Sequence, residues 1–159
     1  MRLMVAAVGR LKDAERDLCE RYAKRFDAGG RALGLGPLSI SELNESRAAS
    51  AALRKADEAA RLLKAAAGAT ARVVLDESGK ALTSEAFARW LAQIRDGGCK
   101  GLAFLIGGPD GHGPEAVQGA ALKLSLGAMT LPHGIARAVL IEQLYRATTI
   151  LSGHPYHRA

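Results

Sequence analysis

A succession of short apolar runs, each closed by glycine or a polar turn and followed by residues of helical periodicity, constrains this chain more than anything else in it. Residues 2 to 8 are such a run, ending at Gly9. "LSISEL" alternates as a half-buried strand does, and "ARVVLDESG" is a short buried run ending at Asp76. "GLAFLIGGPDG" carries Leu102 to Ile106 into a glycine-rich loop, and "LKLSLGAMTL" is the last strand-like stretch. Between the first two runs, Leu11, Ala14, Leu18, Tyr22 and Phe26 recur at the three-and-four spacing of one helix face. "AGGRALGLGP" then breaks the period and predicts a loop. Residues 47 to 67 predict an alanine-rich helix, and Thr83 or Ser84 with Glu85 opens another that runs to about Arg95. Pro114 stands where the first turn of a helix tolerates proline. A long final helix over 135 to 151 is striped by Ala136, Leu140, Leu144, Ala147 and Leu151. Strands that alternate with helices, with no repeat and no break in composition, predict one α/β domain over residues 1–159, its sheet mostly parallel and covered by helices on both faces.

In such sheets ligands bind beyond the carboxyl ends of the strands. That rule singles out the loops after Leu75, Ile106 and Leu126. Composition narrows the ligand less than topology does. With 48% apolar residues but only one Trp, three Tyr and three Phe, aliphatic side chains must fill the core. The net charge of +6 suits a polyanionic partner or simple solubility. Cys19 and Cys99 are far apart and form no C-x-x-C pattern, as expected of reduced thiols in a cytoplasmic protein. The opening apolar stretch, Leu3 to Gly9, reads as a first strand, too short for a signal peptide or a membrane span.

Few side chains on these loops have obvious chemistry. "LIGGPDGHG" lacks both the Gly-Lys-Ser/Thr of a phosphate loop and the G-x-G-x-x-G of a dinucleotide fold, leaving an ordinary tight turn or a ligand loop. In "SLGAMTLPHG", Gly127 permits an unusual turn and Pro132 sets the exit into the last helix, so the main chain from Ala128 to Leu131 can face the edge of a nucleobase. Met129 either lies against a ring or, with Leu131, belongs to the core. Asp76 and Asp110 can bond a ribose or an amine, although turn capping is the commoner use. The tail "GHPYHRA" concentrates Tyr156, His157 and Arg158, which suit RNA recognition better than metal, since His154 and His157 have no third ligand nearby in sequence. Glu142 and Arg146 stand four apart on the final helix, the spacing of a helical ion pair, with Arg146 available as an anion contact. The basic stripe Arg47, Arg54, Lys55, Arg61 and Lys64 is a solvated face or an RNA contact.

Read together, "VVLDESGK", "FLIGGPDG" and "LSLGAMTLPHGIARAVLIEQLYRA" followed by "GHPYHR" closely resemble the RlmH family, 23S rRNA pseudouridine N3-methyltransferases of the SPOUT superfamily. "AVGRLKD" and "YAKRF" extend the likeness to nearly the whole chain. The resemblance implies a C-terminal segment threaded through a trefoil knot, S-adenosylmethionine (SAM) bound in that knot, a homodimer whose site uses both subunits, and 23S rRNA within the ribosome as substrate. It implies cofactor contacts at Leu75, Gly107, Gly108, Ala128, Met129, Thr130, Leu131, Pro132 and His133, and no metal. Tyr156, His157 and Arg158 of the partner's tail, with Arg146, would act on the target base. Gly127 stands where these proteins often have serine, and His112-Gly113 where a hydrophobic-serine pair is common. Two rival readings keep other targets in play: a tRNA methyltransferase of the same fold, or a ribosome-binding module without catalysis.

Overall fold

The computed structural model describes residues 1–157. Its centre is a sheet of β1 (Arg2–Val8), β2 (Leu38–Leu43), β3 (Ala71–Ala81), β4 (Gly101–Ile106) and β5 (Leu122–Ser125). The strand order is β2-β1-β4-β3-β5, and every neighbouring pair is parallel. Parallel neighbours require a crossover, supplied by α1 (Asp13–Gly30), α2 (Ala51–Ala65), α3 (Ser84–Asp96) and the single turn α4 (Pro114–Val117), before α5 (His133–Ser152) closes the fold. Alternation along β1 divides the core in two. Leu3, Val5 and Ala7 face α1, α3 and α5 through Phe26, Leu91, Leu140 and Leu144, whereas Ala6 and Val8 meet Ala59, Leu62 and Ala116 of α2 and α4. β4 lies between them with all of its residues buried, as a central strand covered on both faces must. The α/β class, the parallel sheet and the flanking helices follow the sequence reading.

Several boundaries differ, each for a physical reason. α1 does not stop at the glycines of "AGGRALGLGP". It runs through them to Gly30 and tightens into a 3-10 turn, Arg31–Leu33. These glycines serve close packing: a Cβ on Gly29 would lie 2.9 Å from Thr148 Oγ1 of α5, and one on Gly30 would lie 2.7 Å from the Leu35 carbonyl oxygen. α2 begins at Ala51, because the Ser50 hydroxyl accepts the Leu53 N–H at 3.3 Å and caps it, so Arg47 precedes the helix. α4 is cut to one turn by extended Gln118 and by Gly119 at φ +73°. β3 continues beyond Asp76 to Ala81 through a register shift against β5 between Leu75 and Lys80. β5 ends at Ser125, short of the strand-like run read from "LKLSLGAMTL". Cys19, buried, and Cys99, half-buried, are both free thiols, and burial raises the pKa of the Cys19 thiol. Among the described residues, no helix is long and apolar enough to cross a membrane.

Candidate active-site cleft

Three strand ends on one side of the sheet carry the irregular segments of the chain. Residues 76–79 bulge out of β3, and the bulge closes on Gly79, where a Cβ would stand 2.7 Å from the Leu124 carbonyl carbon and 2.8 Å from the Lys123 carbonyl oxygen. Only glycine lets β5 pass so near. Asp76 accepts the N–H of Ser78 at 2.9 Å and lies 3.4 Å from Lys123 Nζ. Burial opposes its charge, but the bonds from Ser78 and the Lys123 ammonium hold its carboxyl below the ordinary range. It caps a turn.

After β4 the chain makes a compact turn. Gly108 and Gly111 pair as an antiparallel bridge, with the Gly111 N–H donating to the Gly108 carbonyl at 2.9 Å. Asp110 receives Arg54 of α2 on both oxygens, at 2.6 and 3.1 Å, and the guanidinium holds its carboxyl below the usual range. The glycine pair serves packing rather than open access, since a Cβ on Gly108 would stand 2.7 Å from Glu58 Oε2 and one on Gly107 would stand 3.1 Å from the Gly111 carbonyl. After β5, Gly127 at φ +140° turns the chain outward, with the Ser125 hydroxyl donating to the Gly127 carbonyl at 3.0 Å. The loop is exposed from Gly127 to Thr130, and Met129 is 77% exposed, so it is not a core residue; Leu131 is half-buried.

These segments enclose one cleft of about 800 Å³, within the range of small-molecule sites. Leu75, Gly107, Gly108, Met129, Thr130, Leu131, Pro132 and His133 all stand on its wall, whereas Ala128, in the same loop, does not. Lys55, Glu77, Ser78, His112 and Ala136 also line it, and the sequence reading placed none of them at the cofactor. The wall combines apolar side chains (Ile106, Leu124, Leu126) with main chain and a charged rim (Asp76, Glu77, Lys55). That donor set fits a flat ring with a polar edge and a charged tail, as in SAM. Among the described residues, no group of three or more histidine, cysteine, aspartate or glutamate side chains could hold a metal.

The start of α5 is anchored from beneath. Arg137 is fully buried, ion-paired with Glu42 at the end of β2, and donates to the Gly9 carbonyl at 2.8 Å. Glu42 also accepts the Leu11 N–H at 2.9 Å. A Cβ on Gly9, at φ +92°, would lie 2.7 Å from His133 Nε2, so the absence of a side chain there seats the imidazole. A lone arginine inside the apolar run "GIARAVL" was the available signal for this anchor.

The tail residues gather elsewhere. Glu142 accepts Arg146 at 2.7 and 3.0 Å, the expected helical pair, and the Tyr156 hydroxyl at 3.0 Å. The Arg146 guanidinium lies 4.8 Å from the centre of the Tyr156 ring, and His157 Nε2 stands 2.7 Å from Glu85. Burial first, then Tyr22 and Glu142, pushes the Tyr156 hydroxyl well above its ordinary pKa. None of these residues lines the cleft of its own chain. Arg158 lies outside the described residues.

The chain that folds into this sheet and cleft is matched over residues 1–157 by the family model described as "Predicted SPOUT methyltransferase". The chain belongs to the SPOUT methyltransferase family. It is similar over its whole length to proteins named Ribosomal RNA large subunit methyltransferase H. That of Brucella anthropi is 53% identical over 160 residues, with all of both chains covered. That of Rhodopseudomonas palustris is also 53% identical with full coverage of both, and that of Rhizobium etli is 52% identical over 99% of each.

Proposed function

We propose that this chain is a SAM-dependent methyltransferase that modifies N3 of a pseudouridine in 23S ribosomal RNA, in the cytoplasm. It works as a homodimer of single domains whose segment from β5 onward threads a trefoil knot. The observation that carries the reading is the convergence of the segments after Leu75, Ile106 and Leu126 on one cleft, in a chain half identical to relatives named for large-subunit rRNA methylation. When bound, SAM supplies an electrophilic methyl group on a sulfonium.

The chain's own residues align and desolvate. Main chain of Leu75, Gly107, Gly108 and Met129 to His133 would hold the cofactor, several modest hydrogen bonds acting together, with Ala128 shaping the loop from outside the wall. Ile106, Leu124 and Leu126 exclude water from the ring. The loop Gly127–Thr130, exposed in the protomer, is covered by a second copy, and a two-fold interface delivers each copy's tail to the other's cleft. There Tyr156 positions the target base. His157 or Arg158 stabilises the anion left as N3 loses its proton, an electrostatic contribution worth far more in a dry site than in water. Arg146 keeps Tyr156 in place from its own helix.

The test uses ribosomes lacking the modification, labelled SAM and mass mapping of the product. The expected result is one methylated pseudouridine in 23S rRNA, with transfer abolished by deletion of residues 154 to 159 while calorimetry still detects SAM binding. Methyl incorporation into tRNA alone would overturn the target, full turnover by the truncated chain would overturn the tail's role, and no heat with SAM would overturn the enzyme.

A further inference from the structure

One side chain on the cleft wall has a polar geometry that cofactor contacts alone do not explain. The imidazole of His112 folds back along its own loop, and the Gly107 N–H donates to its Nε2 at 3.1 Å. Its Nδ1 is buried with no hydrogen-bond partner. The bond to Nε2 holds the ring against the first residue after β4, in a cleft wall that also carries Leu75, the last residue before the β3 bulge. An acceptor at Nε2 requires a neutral ring with its proton on Nδ1. A protonated ring has N–H at both nitrogens and cannot accept from Gly107.

We propose that neutral His112 is the positioning residue of this cleft, clipping the Gly107 main chain in place on the cleft wall, so that SAM affinity depends on the charge of this one imidazole. The inference rests on the SAM reading above. The groups around the ring set its charge. Burial, the largest influence, lowers its pKa from the usual 6.5, while Asp76 of β3 and the main chain of Leu75 and Leu105 push the other way. Asp76 is itself bound by Lys123 of β5, and Asp110 of the turn by Arg54 of α2. Lys55 of α2 stands on the same cleft wall, and Glu58 of α2 lies behind Gly108. With both nearby aspartates paired to cations, burial prevails and the clip stays closed near neutral pH.

The experiment combines SAM calorimetry between pH 5 and 7.5 with side-chain ¹⁵N NMR of the ligand-free protein, on wild type, His112→Gln and His112→Leu. The amide oxygen of glutamine can accept the Gly107 N–H at every pH; leucine leaves it unpaired. Wild-type affinity should fall as the pH drops below 6.5, and His112→Gln should stay within about threefold of wild type at pH 7.5 and lose the pH dependence. His112→Leu should bind about tenfold more weakly at pH 7.5, the scale of one unsatisfied buried donor. NMR should show the Nδ1–H tautomer and a titration midpoint below 6.5. An Nε2–H tautomer, an ordinary midpoint, or a pH profile unchanged by His112→Gln overturns the proposal. If wild type gives no heat with SAM at any pH, the enzyme reading fails, and the tautomer still decides the clip. Thermal unfolding identifies a leucine variant that merely fails to fold, in which case the glutamine pH profile and the NMR decide.

Discussion

The two ends of α5 solve different problems with different materials. At its start, around His133, the chain builds a cleft from main chain, aliphatic side chains and glycines, and fixes it with the buried guanidinium of Arg137. Toward its far end, the same helix presents Glu142 and Arg146 to Tyr156 and His157, a network of charged and aromatic side chains at the half-buried surface. The helix has 20 residues and so spans about 30 Å. Main-chain geometry is rigid and tolerates few substitutions. A side-chain network is adjustable, and it is suited to meeting a substrate or a second copy. The first end should therefore fail by losing fold and affinity together, the second by losing turnover alone.

Deleting residues 154 to 159 is the sharpest way to separate the ends. Turnover should be abolished, a loss beyond the roughly hundred- to thousandfold of removing one group that stabilises developing charge, while SAM affinity changes less than threefold in calorimetry. Equal losses in both would erase the distinction. At the other end, Arg137→Met leaves Glu42 and the Gly9 carbonyl without their buried partner and should cost about 3 kcal/mol in urea unfolding. Gly79→Ala drives a Cβ against the β5 main chain and should cost about 2 kcal/mol, with weakened SAM binding, because overpacking here displaces backbone. Tyr156→Phe removes only a half-exposed hydroxyl from Glu142. It should lower stability by about 1 kcal/mol or less, with SAM affinity unchanged.

The smallest expected effect is one of pH. The folded-state pKa of His112 lies below its unfolded value of 6.5, so between the two the unfolded chain binds more protons. Its contribution to stability is then complete above pH 6.5 and is lost as the pH falls through the folded value. Asp76 and Asp110 are also depressed, from 3.8, and their contributions disappear only in stronger acid. Urea midpoints should therefore fall in two separate windows, and His112→Gln should remove the upper one alone. A single acid transition in both proteins would show that the cleft holds no neutral histidine of consequence.

Much of this was legible in advance. Strand and helix periods are local, set by side chains two or three and four residues apart, so the alternation, the parallel sheet and the three loops at its carboxyl edge could be read along the chain. The Glu142–Arg146 pair was legible for the same reason. The resemblance carried by the last forty residues supplied the family, which periodicity alone did not. What failed were residues whose reason lies across the fold. Gly29 and Gly30 look like helix breakers, yet they are contact points for Thr148 and Leu35. Arg54 looks like part of a solvated stripe, yet it grips Asp110. Gly107 and Gly108 look like an opening for ligand, yet their missing Cβ atoms make room for the protein itself.

From residue order alone came an α/β chain with a carboxyl-edge site and a side-chain-rich tail, because hydrophobic period and turn chemistry act over a few neighbouring residues. Folding settled that the bulge after Leu75, the turn after Ile106 and the loop after Leu126 share one cleft, that Arg137 locks it, and that Tyr156 and His157 rest away from the cleft of their own chain. Those outcomes depend on which distant strands become neighbours, and no local spacing encodes that distance.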